Sequence, residues 1–161
     1  MKRAKDIAIL IAVMTMILFI TGIGAERTMQ TNPTISDRLL YSFTHAGFIH
    51  LFTNIWAMLS VIFVFQPHWG YMVAAYTIAV LCPSCLCQTP TVGLSVFIYA
   101  LFGMMPFRVK DRGFYQLCMA IALAAGCLHP YINGYVHIYA YACGFIVALL
   151  TTPISCLKRR K

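Results

Sequence analysis

Two long runs of the chain contain no charged side chain, and this absence limits the possible folds more than any other feature. Residues 39–107 and 113–157 contain no Asp, Glu, Lys or Arg. The whole chain is 10% charged, whereas an average soluble domain is about 25% charged. Because a water-soluble surface cannot be built from such runs, the sequence predicts an all-α polytopic membrane protein, with residues 1–161 forming a single domain.

Six apolar segments are candidate membrane spans, and loops containing proline, glycine or charge separate them. They are residues 7–25, 47–65, 71–82, 93–106, 114–128 and 136–153. The first segment follows a basic N-terminus and resembles a signal peptide. It is longer than the roughly 7–15 apolar residues of a typical signal peptide. This length favours an uncleaved first span, with cleavage as the alternative.

The basic residues stand at three places that flank the apolar segments. The three groups are Lys2, Arg3 and Lys5; Arg108, Lys110 and Arg112; and Lys158, Arg159, Arg160 and Lys161. Because cytoplasmic loops carry the excess of Lys and Arg, both termini and the central loop are predicted to be cytoplasmic. The expected location, a bacterial inner membrane, comes with the family resemblance described below and not from these charges. The net charge of +8 comes largely from these flanks, so it does not indicate a nucleic-acid partner.

Three of the seven cysteines form a cluster, Cys82, Cys85 and Cys87. A structural zinc site usually takes four ligands from two separated pairs, and the sequence offers no second pair. We therefore expect no metal and no cofactor. Apolar packing of these thiols and a disulfide within the loop both remain open.

The fourth apolar segment is too short to cross a bilayer from its serine to its end. From Ser95 to Met105 there are about eleven residues, or roughly 16 Å of helix at 1.5 Å per residue. The hydrocarbon core is about 30 Å thick. The sequence therefore predicts a short central helix that starts at Ser95, near the middle of the membrane, with the preceding loop dipping in to meet it.

Four polar side chains lie in apolar segments, where they are costly and therefore suggest a function. Ser95 and His137 could form a nucleophile and its general base, and no carboxylate is placed to be a third member. Tyr99, at i+4 from Ser95, could orient the imidazole by ring stacking. His50, Asn54 and the backbone N–H of Ser95 are candidate donors to an oxyanion. All of them are predicted to converge in one outward-opening cavity.

Each of these residues also has a purely structural interpretation. A serine in a membrane helix commonly bonds the carbonyl one turn back. A buried histidine is often an interhelical hydrogen-bond partner, and an i,i+4 pair such as His50 and Asn54 can join two helices. Their occurrence together with a truncated helix is what favours a hydrolytic site.

Three segments resemble, in order along the chain, the motifs of the rhomboid family of intramembrane serine proteases. The matching positions are residues 43–54 with His50 and Asn54, then Gly93-Leu94-Ser95 with Tyr99 and Gly103, then residues 133–137 with His137 and Gly144. The chain departs from the family pattern at Val96 and Ala140, where that family usually has glycine. It also lacks the family's usual Trp-Arg pair in the first loop.

The resemblance implies a six-transmembrane-helix bundle in which Ser95 is the nucleophile and His137 the general base. It places His50 and Asn54 at the oxyanion, and it implies that the substrates are transmembrane segments of other proteins. The residues with implied supporting roles are Gly93, Tyr99, Gly103 and Gly144. Two other functions remain open from the sequence. One is an inactive rhomboid-like protein that binds membrane clients, and the other is a small transporter.

Overall fold

The computed structural model describes residues 2–87 and 89–152, and this part of the chain is helical without a β-strand. Its helices are α1 (Lys2–Thr21), α2 (Ile35–Leu40), α3 (Phe48–Phe65), α4 (Trp69–Val80), α5 (Ser95–Met104), α6 (Arg112–Leu128) and α7 (Gly134–Thr151). Two short 3₁₀ turns, Tyr41–Phe43 and Ser84–Leu86, lie between them. The predicted all-helical class is confirmed for the described residues.

Six helices correspond to the predicted apolar segments, with differences at their ends. Helix α3 begins one residue after its predicted start, and α5 begins at Ser95 as predicted. The first helix does not coincide with the predicted apolar segment, 7–25. Helix α1 continues through the basic N-terminal residues and stops at Thr21, because Gly22 and Gly24 adopt φ of +69° and +75°, which favour glycine and break a helix. Helix α7 is described as far as Thr151, so the predicted end at residue 153 lies outside the described residues, as do Cys156 and the basic tail.

Helix α2 was not predicted, since its region was expected to be a loop. Its start is a capping box in which the Thr34 side chain accepts from the Asp37 N–H and the Asp37 carboxylate accepts from the Thr34 N–H. This reciprocal pairing satisfies two backbone donors that a helix start otherwise leaves unpaired. It allows a helix of only six residues to form.

Among the described residues, three helices, α1, α3 and α7, are long and apolar enough to cross a membrane, while α4, α5 and α6 are apolar but shorter. The side chains of α1 are arranged as expected for a helix in lipid. Its buried face is made of small residues, including Ala4, Ala8 and Ala12, whereas the large Leu10 and Ile20 are 58% and 75% exposed. Small residues allow close helix approach in a membrane, and lipid rather than water is the solvent that suits the exposed face.

Helix α5 is the centre of the bundle and packs against α3, α4 and α7. Its contact with α7 is made backbone to backbone. A Cβ atom at Gly103 would overlap the carbonyl oxygen of Tyr141, and one at Gly144 would overlap the carbonyl oxygen of Ala100. Both glycines are therefore needed for the two helices to approach this closely. The approach fixes the start of α5 relative to α7.

The described basic residues that flank the helices gather at one end of the bundle. Lys5 lies over the ring of Phe63, which brings the start of α1 to the end of α3. Arg108 lies over the ring of Tyr71, which brings the loop after α5 to the start of α4. Ser95 lies at the other end of α5, away from these cations.

Candidate active site

Ser95 and His137 are hydrogen-bonded to each other, with 3.0 Å between Oγ and Nε2. Ser95 is the first residue of α5, and His137 lies in the first turn of α7. The His137 side chain is buried, at 7% exposure, and Ser95 is half-buried. When the imidazole carries its proton on Nδ1, Nε2 can accept the serine proton, as a general base must.

The Ser95 hydroxyl behaves differently from the threonine hydroxyls inside the helices. Thr15, Thr53, Thr77 and Thr151 each donate to the carbonyl four residues back. In the described part of the chain, the hydrogen bond of Ser95 Oγ is instead the one to His137. The physical reason is position, because the residue four before Ser95 precedes the helix and presents no helical carbonyl. The purely structural interpretation of this serine therefore does not fit the geometry.

Tyr99 stacks on the imidazole of His137, with ring centroids 4.3 Å apart and planes 15° apart. None of the four acidic residues of the chain lines the cavity at the site. The Nδ1 atom of His137 is buried and has no hydrogen-bond partner among the described residues. The stacked Tyr99 ring and the hydrogen bond to Ser95, rather than a carboxylate, therefore hold this imidazole in place.

A cavity of about 690 Å³ brings the predicted polar residues together. Its polar lining includes His50, Asn54, Ser95, Tyr99 and His137. Its apolar lining includes Ala57 of α3 and Ile98 and Phe102 of α5. The convergence expected from the sequence is therefore present, in a cavity large enough for several side chains of a peptide.

At Gly93, the backbone just before Ser95 lies directly against His50 and Asn54, the two side chains predicted to donate to an oxyanion. A Cβ atom at Gly93 would collide with the His50 ring and crowd the Asn54 amide, and its φ of +99° also favours glycine. The Asn54 amide donates to the His50 carbonyl at 2.9 Å, which orients its side chain along α3. The Gly93 N–H donates to the Tyr41 carbonyl at 2.9 Å. The backbone can therefore approach both donors only because residue 93 lacks a side chain.

The loop before Ser95 is anchored on two sides. Met29 and Thr91 exchange both backbone hydrogen bonds, at 2.9 and 2.8 Å. The Asn133 amide donates to the Leu86 carbonyl at 2.7 Å and to the Thr91 hydroxyl at 3.2 Å. Asn133 precedes α7, so this amide ties the serine loop to the helix that carries His137. Sequence reasoning placed Asn133 in a motif without this role.

His45 is a second residue whose role the sequence did not indicate. Its ring meets that of His50 edge to face, with centroids 5.2 Å apart. Both of its ring nitrogens are buried. Burial and, to a smaller extent, the neighbouring His50 lower the pKa of His45 to about 4. His45 is therefore neutral near pH 7 and adds a polar but uncharged ring behind His50. The available signal was its place in the same motif segment, five residues before His50.

The two departures from the rhomboid pattern lie in the core rather than in the cavity. Val96 and Ala140 are both fully buried, and neither lines the cavity. The Val96 side chain therefore fills space between helices and does not narrow the space next to Ser95. Of the two possibilities for valine here, crowding of the site or repacking of the core, the structure favours repacking.

The arrangement supplies the parts of a hydrolytic site: a hydroxyl next to an imidazole, and donors nearby. In the described residues, no three His, Cys, Asp or Glu side chains converge to hold a metal ion. No protein-family model matches the chain, and no curated protein matches it. The likeness to rhomboid proteases is therefore carried by the motif residues alone.

Proposed function

We propose that this protein is an intramembrane serine endopeptidase of the rhomboid type, which hydrolyses peptide bonds in the transmembrane segments of other proteins. The observation that carries the proposal is the 3.0 Å contact between Ser95 Oγ and His137 Nε2, in a cavity shared with His50 and Asn54. A nucleophile and a base within hydrogen-bonding reach are the defining pair of covalent hydrolysis.

In the proposed reaction, Ser95 Oγ attacks the substrate carbonyl carbon while His137 Nε2 takes the hydroxyl proton. The carbonyl oxygen becomes an oxyanion, and His50, Asn54 and the Ser95 backbone N–H stabilise it. The C–N bond then breaks, and the protonated imidazole gives its proton to the leaving amine. Water repeats the sequence on the acyl-enzyme and releases the second product. Tyr99 keeps the imidazole in one orientation throughout.

The proposal includes six membrane spans, formed by α1 and by α3 to α7. The ten residues of α5 span only about 15 Å at 1.5 Å per residue, half the thickness of the hydrocarbon core. Ser95 then lies at membrane depth. Irregular backbone there requires surrounding protein or a water-filled cavity. The anchored loop and the cavity meet this requirement. The basic end of the bundle faces the cytoplasm, and the site opens towards the outer side of a bacterial inner membrane.

An inactive rhomboid-like protein that binds membrane clients would share these helices, and a small transporter would share the polar cavity. The Ser95–His137 contact supports the protease over both, because neither binding nor transport needs a serine within reach of a base. For a transporter, a polar path through both leaflets is expected, whereas the polar residues named here cluster at one end.

Labelling with a fluorophosphonate probe in detergent tests the proposal directly. We expect the folded protein to be labelled at Ser95, and the His137→Ala variant to lose most of this labelling because the base is gone. Heat-denatured protein is the control for non-specific reaction. A wild-type protein that stays unlabelled and cleaves no transmembrane substrate would support the client-binding alternative instead.

A further inference from the structure

The loop between α4 and α5 contains two buried thiols that flank a tight turn. Cys82 and Cys87 are both fully buried and lie on either side of the 3₁₀ turn Ser84–Leu86. Cys85, within the turn, is exposed. From the sequence, a disulfide between any two of these three cysteines is possible. The structure separates the buried pair, Cys82 and Cys87, from the exposed Cys85.

The two buried thiols face the same point. Their sulfur atoms lie 4.0 and 3.9 Å from the carbonyl oxygen of Pro83. A disulfide requires two cysteines with Cα atoms about 4.4–6.8 Å apart and side chains that point together. Two thiols directed at one carbonyl across a single turn meet the directional part of this requirement.

Both ends of this turn are fixed by other parts of the protein. Arg38 donates to the carbonyl of Cys82 at 3.0 Å, at the end of α4. Leu86, next to Cys87, accepts from Asn133 at 2.7 Å. A covalent link between the two cysteines would therefore join the end of α4 to the loop that carries Ser95, with little movement of either.

We propose that Cys82 and Cys87 form a disulfide that fixes the serine loop when this end of the protein is outside the cytoplasm. The proposal rests on the membrane orientation given under the proposed function, because disulfides persist in oxidising compartments. It does not depend on catalysis.

The reaction is a thiol–disulfide exchange with an oxidised dithiol oxidase or with oxidised glutathione. The thiolate of one cysteine attacks a sulfur of the oxidant and forms a mixed disulfide. The thiolate of the other cysteine then attacks its neighbour and releases the oxidant as thiols. Two electrons pass to the oxidant, and the two thiol protons are released to it or to water. Because both thiols are buried in the folded protein, the exchange takes place before the loop has packed.

The test counts free thiols in the full chain expressed in a bacterial membrane. The protein is denatured in detergent with excess maleimide-polyethylene glycol, with and without prior reduction, and its shift is read on a gel. We expect two fewer additions without reduction than with it. Intact mass should rise by the mass of two hydrogens upon reduction.

Three cysteine variants locate the pair. Cys82→Ser and Cys87→Ser should each abolish the difference between reduced and unreduced samples. Cys85→Ser, in the same turn, should retain it. Equal labelling of the wild type before and after reduction would overturn the proposal, as would a difference that persists in Cys82→Ser.

Failure of this proposal can be told apart from failure of the protease assignment. The thiol count requires no substrate, and fluorophosphonate labelling of Ser95 can be measured on the same reduced samples. A second measurement is the melting temperature, which should fall on reduction for the wild type and for Cys85→Ser but not for Cys82→Ser. An unchanged melting temperature of the wild type would contradict the proposed fixing of the loop.

Discussion

The ring of Tyr99 lies parallel to the imidazole of His137, with centroids 4.3 Å apart. The two residues belong to different helices, α5 and α7, whose backbones meet at Gly103 and Gly144. The stacking therefore depends on the helix contact below it. A carboxylate partner for the imidazole would place an ionised group in an apolar interior, which is costly. A stacked aromatic ring orients the imidazole without that cost.

Replacing Tyr99 separates the role of its ring from that of its hydroxyl. Aromatic pairs contribute about 0.5–1.5 kcal/mol beyond their burial, and 1.36 kcal/mol corresponds to a tenfold rate. We expect Tyr99→Phe to retain the cleavage rate and Tyr99→Leu to lose up to about tenfold in kcat. The measurement is kcat and KM for a model transmembrane substrate. A Phe variant as impaired as the Leu variant would mean that the hydroxyl, not the stacking, is important.

Removing the Ser95 hydroxyl should abolish cleavage of the same substrate without changing the melting temperature. The reason is that this hydroxyl bonds the imidazole rather than its own helix, so it contributes to the reaction more than to the fold. Ser60→Ala, a serine of α3 outside the cavity, is the matched control and should stay active. Full cleavage activity in Ser95→Ala would disprove the assignment of Ser95 as the nucleophile.

Glycine at position 96 should destabilise the protein, although the rhomboid pattern has glycine there. Val96 is fully buried in the core, and loss of a buried side chain of this size costs on the order of 1–3 kcal/mol. We expect the melting temperature and the cleavage rate to fall together for Val96→Gly, with Val96→Ala intermediate. A faster Val96→Gly enzyme would show instead that valine crowds the site.

The contact between α5 and α7 can be tested at Gly144. A methyl group there would overlap the Ala100 carbonyl oxygen, so Gly144→Ala must push the helices apart. Overpacking of this kind typically costs about 1–3 kcal/mol, and the shift should also separate Ser95 from His137. We expect a lower melting temperature and a loss of labelling by the fluorophosphonate probe.

Gly47→Ala is the matched control for this change. Gly47 has an extended φ of 176°, and nothing lies within 4 Å of its added Cβ atom. It should therefore tolerate alanine. Similar behaviour of the two variants would refute the close-contact role of Gly144.

Because His45 is buried, we expect the free energy of unfolding to depend on pH. Burial lowers its pKa to about 4 from an ordinary value of 6.5. The unfolded chain therefore binds the proton more readily, and the stabilising contribution is present above pH 6.5 and lost as the pH falls towards 4. The charge on His50, the titratable group in contact with it, adds in the same direction.

The measurement is the free energy of unfolding between pH 7 and pH 4 for the wild type and for His45→Asn. We expect the wild type to lose more stability over this range than the variant, which has no titratable group at this position. Parallel curves for the two proteins would show that His45 is not protonated on unfolding in this range.

The sequence predicts those parts of the fold that depend on local signals. The end of α3 is followed by Pro67, which cannot continue a helix, and the start of α5 follows Gly93. Helix α2 could not be foreseen from hydropathy, because a capping box rather than an apolar stripe starts it. The stop of α1 at Gly22 was missed for a related reason, since the apolar run continues beyond it.

The sequence singles out Ser95 and His137 because polar side chains are costly in apolar segments, and the structure places the two side chains in contact. The contacts that support this pair were not predicted. Asn133 reaches Leu86 and Thr91 across more than forty positions of the chain, and spacing alone does not pair such distant groups. The burial of the His45 ring nitrogens likewise depends on how the surrounding helices pack, which the sequence does not show.

The place of Ser95 as the first residue of α5 has a consequence for how such a site can arise. Within a helix in lipid, a hydroxyl donates its hydrogen bond to the carbonyl four residues earlier, as the threonines of α1, α3, α4 and α7 do. Such a hydroxyl is not available to a neighbouring base. A serine moved one turn into α5 would bond the carbonyl of residue 95 in the same way. In the proposed function, the reactivity of Ser95 is therefore a consequence of backbone register: its hydroxyl is available to His137 because α5 begins in the interior of the protein instead of at its surface.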